Sequence, residues 1–169
     1  PADAFQVWEM PSDLERRPPM YQAYDYYGGK PWLVGFLYAY GGTTMLHGDL
    51  ADMVKRVQAA ATDPRAEKCR GLCIEPEAIH HNPIAFDLIS RLAWDPAAVE
   101  LSAFLEDYAV RRYGAAAAPG MVRCFRELTA SVYGSPGVVC PLYMLRVTGE
   151  RLQGATPYGV DQARQFLPH

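Results

Sequence analysis

No stretch of this 169-residue sequence is apolar for long enough to cross a bilayer. The longest run, Pro31 to Tyr40, is about half of the ~20 residues a spanning helix needs, and Gly35 interrupts it. Positive charge is not in excess either. With 16 Lys+Arg against 19 Asp+Glu the formal net charge is −3, which leaves little to neutralise phosphates and argues against nucleic acid as a partner. Cysteine is sparse: Cys69, Cys73, Cys124 and Cys140. The C-x3-C spacing of the first pair is neither a redox C-x-x-C nor a zinc pattern with a matching second half, so structural or free thiols are expected. A phosphate-binding loop is also missing. Gly28-Gly29-Lys30 and Gly41-Gly42-Thr43-Thr44 lack the G-x-x-x-x-G-K-[ST] spacing, and Pro31 removes a backbone donor. There is no internal repeat, and low complexity is confined to Ala115 to Ala118 with Pro119-Gly120, which reads as a linker. The first twenty residues start at Pro1 rather than Met and have no basic region followed by an apolar core, so Pro1 reads as a cut end with any address signal outside it.

What is present is the composition of a folded globular chain, half hydrophobic and 21% charged. Phe5 to Glu9 reads as a short strand leading into the charged, proline-rich segment Asp13 to Pro19. Trp32 to Tyr40 carries aromatic and aliphatic residues on both parities, the pattern of a strand buried on both faces in a parallel sheet. A helix follows in which Leu50, Met53, Val54 and Val57 share one face, with Asp49 as N-cap and Asp63-Pro64 as its stop. Arg70 to Glu75 is a second short strand. Asn82-Pro83 then starts a helix running to about Trp94. Strand, helix, strand, helix in that order predicts βαβ construction and a parallel sheet. Beyond Asp95-Pro96 the pattern turns wholly helical: Leu101, Phe104, Leu105 and Tyr108 mark one helix ending at Gly114, and Met121, Phe125, Leu128 and Val132 another ending at Gly134.

Among side chains that could do chemistry, Glu75 and Glu77 stand two apart at the carboxyl end of a predicted parallel strand, the edge where such sheets hold ligands. Alternation puts both carboxylates on one face with Pro76 opposite. Paired carboxylates serve glycoside hydrolysis as nucleophile and acid/base; the same residues also suit a solvated acidic loop before a helix N-terminus. His80-His81 and His47 lack H-E-x-x-H or H-x-H spacing, and no metal site is assigned to them. Six tyrosines, Tyr21, Tyr24, Tyr26, Tyr27, Tyr38 and Tyr40, crowd around Trp32. Flat rings with a polar handle suit stacking on sugars and equally suit packing at the rim of a sheet.

The ordered set Gly29-Lys30-Pro31-Trp32, Tyr40-Gly41-Gly42, Leu46-His47-Gly48, Glu75-Pro76-Glu77-Ala78-Ile79, Asn82-Pro83, Leu92-Ala93-Trp94 and Tyr108-Ala109-Val110-Arg111-Arg112-Tyr113-Gly114 resembles the alpha-N-acetylglucosaminidase family of glycoside hydrolases, family 89. The likeness runs from about Pro19 to Gly134 and includes Ser131-Val132-Tyr133. It implies an α/β fold: a partial (β/α)8-type barrel segment over residues 1–95, followed by the start of an all-helical domain over 96–169. It implies further that terminal alpha-linked N-acetylglucosamine is hydrolysed with retention through a covalent glycosyl-enzyme, without metal or cofactor, in a secreted, periplasmic or lysosome-like setting. Glu77 corresponds to the family's nucleophile, and Trp32, Tyr38 and Tyr40 are expected to border the sugar pocket. The acid/base carboxylate has no counterpart here, because in the family it lies on an earlier strand. Asp13 and Glu15 are out of register with the family's acidic strand. Where relatives read His-Asn-Phe-Gly-Gly, this chain reads Tyr38-Ala39-Tyr40-Gly41-Gly42, and Ala78 replaces a usual Gly. The partners so implied are a carbohydrate ending in N-acetylglucosamine and the remainder of the barrel, from the same or another chain. A non-catalytic remnant or sugar-binding module of the same fold is the alternative.

Overall fold

The structure is a computed structural model that describes residues 4–9, 19–36, 49–76 and 82–131. Its strands are β1 (Val7–Trp8), β2 (Trp32–Phe36) and β3 (Cys69–Ile74), and its helices are α1 (Met20–Ala23), α2 (Leu50–Thr62), α3 (Pro83–Trp94), α4 (Leu101–Tyr113) and α5 (Ala118–Ala130). The strands form one parallel sheet in the order β1-β2-β3, with Val7 opposite Trp32, Gly35 opposite Cys73 and Phe36 opposite Ile74. The parallel arrangement expected from the sequence is therefore observed. β1 is shorter than its sequence pattern, although the Glu9 amide still donates to the Leu33 carbonyl at 3.2 Å.

Alternation sends Trp32, Val34 and Phe36 to one face of β2, where all three are buried; Leu33, of opposite parity, is only half-buried. The buried face packs on the apolar stripe of α2, made of Leu50, Met53, Val54, Val57 and Ala60, and of α3, made of Ile84, Ala85, Leu88, Ile89 and Leu92. Val7 falls on the same face by register, and Trp8 on the other, where it is 60% exposed. The sheet is thus covered by helices on one side, with its other side open among the described residues.

Helix boundaries follow the local chemistry. Asp49 caps α2 by accepting from the Asp52 amide at 2.9 Å, and the helix stops at Asp63 before Pro64. Pro83 opens α3 behind Asn82, whose carbonyl accepts from the Ala85 amide while its side chain makes no capping bond. Glu100 caps α4, accepting from the Ser102 and Ala103 amides at 3.0 and 2.8 Å, which holds its carboxyl below the ordinary carboxylate range. At the far end Gly114 takes φ 80°.

One expectation needs correction. The segment read as a linker ends earlier than supposed, because α5 already begins at Ala118 with Pro119 in its first turn, a position where a missing amide costs nothing. Val132 to Gly134, the predicted end of that helix, lie outside the described residues. Phe104, Tyr108 and Phe125 join α4 to α5, with the last two rings edge-on at 5.5 Å. Arg111 of α4 donates to Asp87 of α3 at 2.6 Å and to Asp107 at 2.8 Å, while Arg91 of α3 donates to Asp107 at 2.7 Å. Gln58 of α2 holds the connection before α4 through the carbonyls of Pro96 and Val99.

Candidate active site at the carboxyl edge of the sheet

Pairing between β2 and β3 persists to the end of β3, where the Glu75 amide donates to the Phe36 carbonyl at 3.0 Å. Glu75 therefore stands on the carboxyl edge, on the parity of Cys73 and away from the helices. Burial, helped by the charges of Glu75 and Glu9, pushes the Cys73 thiol up to about 11, so that this thiol is neutral at ordinary pH. Glu77 follows two residues on and lies outside the described residues, as do Tyr38, Tyr40, Asp13, Glu15, His47, His80, His81 and Cys140.

The close fit of β1 against this edge depends on Gly35. A Cβ there would stand 1.6 Å from the Glu9 carbonyl oxygen and 3.1 Å from the Cys73 sulfur. Only glycine admits the strands at that separation. On the far side of β2 lies Glu9, a buried carboxylate that the sequence pattern did not single out, with 3% of its surface exposed. It accepts from the Tyr27 hydroxyl at 2.7 Å, from the Gly35 amide at 3.4 Å and from the Tyr21 amide. Burial still outweighs these donors and holds its carboxyl above the ordinary range. The signal available in the sequence was an acid closing a strand, Val7-Trp8-Glu9.

Tyr27 reaches Glu9 from an unusual turn. Asp25, Tyr26, Tyr27, Gly28 and Gly29 all have positive φ, from 48° to 74°, a single left-handed turn between α1 and β2. Each non-glycine residue there costs ~1–2 kcal/mol, so the turn needs outside support. Its support is specific: Tyr27 donates to Glu9, Tyr26 to Asp63, and Arg65 to Asp25 while lying 4.3 Å over the Tyr26 ring.

Trp32, expected at the rim of a sugar pocket, is placed in the core. It is fully buried, stacked on Tyr21 with ring centroids 4.8 Å apart and tilted against Tyr27 at 5.8 Å. Tyr21 and Tyr26 are buried with it, whereas Tyr24 is 62% exposed. A cavity of about 380 Å³ between the sheet and α2 and α3, lined by Val57, Asp63, Cys69, Leu72, Leu92 and Pro96 among others, opens at the amino end of β3. It is at the opposite end from Glu75.

The comparisons with known proteins bear on this edge. The model of the alpha-N-acetylglucosaminidase (NAGLU) tim-barrel domain matches residues 5–96, more than half of the chain. Human (Homo sapiens) alpha-N-acetylglucosaminidase is 31% identical over 124 residues, which are 72% of this chain and 16% of the relative. The chain thus spans about a sixth of that protein's length. A solved structure of CpGH89 from Clostridium perfringens, with two glutamates replaced by glutamine and in complex with its substrate GlcNAc-alpha-1,4-galactose, is similar with a TM-score of 0.62 at 21% identity. That likeness covers 79% of this chain and 14% of the other, and it concerns the fold. Parallel strands backed by helices, matched in this way, define a barrel-type α/β fold, of which three strands are described. More narrowly, the chain belongs to the alpha-N-acetylglucosaminidase family of glycoside hydrolases.

Proposed function

We propose that this chain contributes the nucleophile side of an active site that removes terminal alpha-linked N-acetylglucosamine with retention of configuration. The observation that carries the reading is the strand pairing that runs through Phe36 and Glu75 to the carboxyl edge, directly before Glu77. Barrel enzymes build their sites at that edge. In sequence Glu77 stands two residues past Glu75, the spacing that shares one parity in an alternating strand.

In this reading a Glu77 oxygen attacks the anomeric carbon while a second carboxyl group, ~5 Å away, protonates the departing glycosidic oxygen. The carbon–oxygen bond to the leaving sugar breaks as the ester to Glu77 forms. Water, deprotonated by the second group, then releases the sugar and regenerates Glu77. No residue of this chain is assigned the acid/base role, which falls to the remainder of the barrel, in the same or another chain. The open face of the sheet, with Trp8 exposed, supports such a partner. Tyr38 and Tyr40, two and four residues past the end of β2, border the sugar, and Trp32 supports that strand from the core. The CpGH89 complex with GlcNAc-alpha-1,4-galactose supports the substrate class. Residues 1–95 then form the barrel part, and 96–169 open a helical domain.

The test is hydrolysis of a chromogenic alpha-N-acetylglucosaminide by this chain and by the full-length natural product, each with and without Glu77→Ala. Activity in the full-length product alone, abolished by the substitution, supports the reading. No activity in either, with retained sugar binding, supports a non-catalytic module instead.

A further inference from the structure

We infer that Glu9 is a positioning residue for the carboxyl edge, a buried acid that fixes the end of β2 and, through it, the end of β3 that carries Glu75. The inference rests on the reading of that edge as the active site. Glu9 touches all three strands. Its amide donates to Leu33, its carboxylate accepts from the Gly35 amide, and its carbonyl lies over the Gly35 α-carbon and accepts from the Cys73 thiol at 3.5 Å. Gly35 and Phe36 pair with Cys73 and Ile74, and the Phe36 carbonyl receives the Glu75 amide. A shift of Gly35 is therefore passed to Glu75 within two residues.

The acid is required as an acid. Two amides and a phenol aim hydrogens at it, and a carboxylate accepts with both oxygens, whereas a glutamine would turn two hydrogens of its own toward those donors. Packing alone would be served by an apolar side chain in this part of the core, at lower desolvation cost. Among the described residues, the left-handed turn adds a second demand on the same carboxylate, since Tyr27 closes onto it from φ 56°.

The test uses the full-length natural protein, as the parent, Glu9→Gln, Tyr27→Phe and the double variant. Amide hydrogen exchange should quicken in Glu9→Gln over residues 32–36 and 69–76 while α4 and α5 keep their protection. For hydrolysis of an alpha-N-acetylglucosaminide, kcat should fall by ~tenfold or more with KM within ~twofold, as expected when a reacting group is displaced by a fraction of an ångström. Tyr27→Phe, which removes one donor, should fall less, and the double variant should be no slower than Glu9→Gln because Tyr27 acts through Glu9. Unchanged exchange at 69–76, or protection lost equally in α4 and α5, overturns the inference. So does an unchanged kcat in an active parent. A parent inactive on the substrate refutes the proposed activity instead, and the exchange pattern still decides the role of Glu9.

Discussion

The α-carbon of Gly35 lies directly against the carbonyl oxygen of Glu9, so near that a methyl group on it would stand 1.6 Å from that oxygen. Both partners are backbone, so no side-chain rotation relieves the contact. Gly35→Ala is expected to separate β1 from β2 and to cost about 3 kcal/mol, the upper end for overpacking. Thermal unfolding of the full-length protein measures it. A midpoint equal to that of the parent would show that the strands part without penalty.

Glu9 also sets a pH dependence. Its carboxyl is raised above its ordinary value in the folded chain, chiefly by burial, so the folded state holds that proton more tightly than the unfolded state does. The stability this contributes is complete below the unfolded value, about 4.5, and is lost as pH rises through the folded one. The stability of the parent relative to Glu9→Gln should therefore decline as pH rises above about 4.5. Urea unfolding of the pair at several pH values is the measurement. A difference that stays flat, or grows with pH, contradicts the raised carboxyl.

Much of this architecture is written locally. The 3.6-residue spacing of Leu50, Met53, Val54 and Val57 marks α2, Asp49 caps it as its position predicts, and Pro83 opens α3. The short apolar strand before Glu75 is equally legible. Glu9 is different, because its partners Tyr27 and Gly35 lie 18 and 26 residues along the chain and no local pattern links them. Positive φ at Asp25, Tyr26 and Tyr27 is not encoded by residue type either; Gly28-Gly29 marks a turn, while its left-handed continuation backwards depends on Glu9, Asp63 and Arg65. Pro119-Gly120 reads as a break in a chain and also fits a first helical turn, and the packing of Phe125 on Tyr108 decides for the helix.

The cysteines should differ in reactivity. Burial and the charges of Glu75 and Glu9 push the Cys73 thiol up to about 11, and burial raises Cys69 as well, so neither supplies appreciable thiolate near neutral pH. Cys124 is exposed on α5. Pulse alkylation at about pH 7.5 followed by peptide mapping should label Cys124 first, with Cys69 and Cys73 labelled only after denaturation. Prompt labelling of Cys73 in the folded chain would place it outside the packed edge.

Trp32 separates two roles by the quantity that changes. As a rim platform it would bind sugar, and truncation would raise KM without touching stability. Its ring is instead fully buried, stacked on Tyr21 and packed on Tyr27 beneath the turn that reaches Glu9. Trp32→Ala is accordingly expected to cost about 3–5 kcal/mol, the usual loss for a buried aromatic. Trp32→Phe should recover most of it, since a ring remains to pack on Tyr21 and, among the described residues, the indole nitrogen has no hydrogen-bond partner to lose. Comparing unfolding midpoints and KM for both variants of the full-length protein decides the matter: a weakened KM at parental stability would return Trp32 to the sugar pocket, and stability lost in Trp32→Ala but largely recovered at parental KM in Trp32→Phe keeps it in the core.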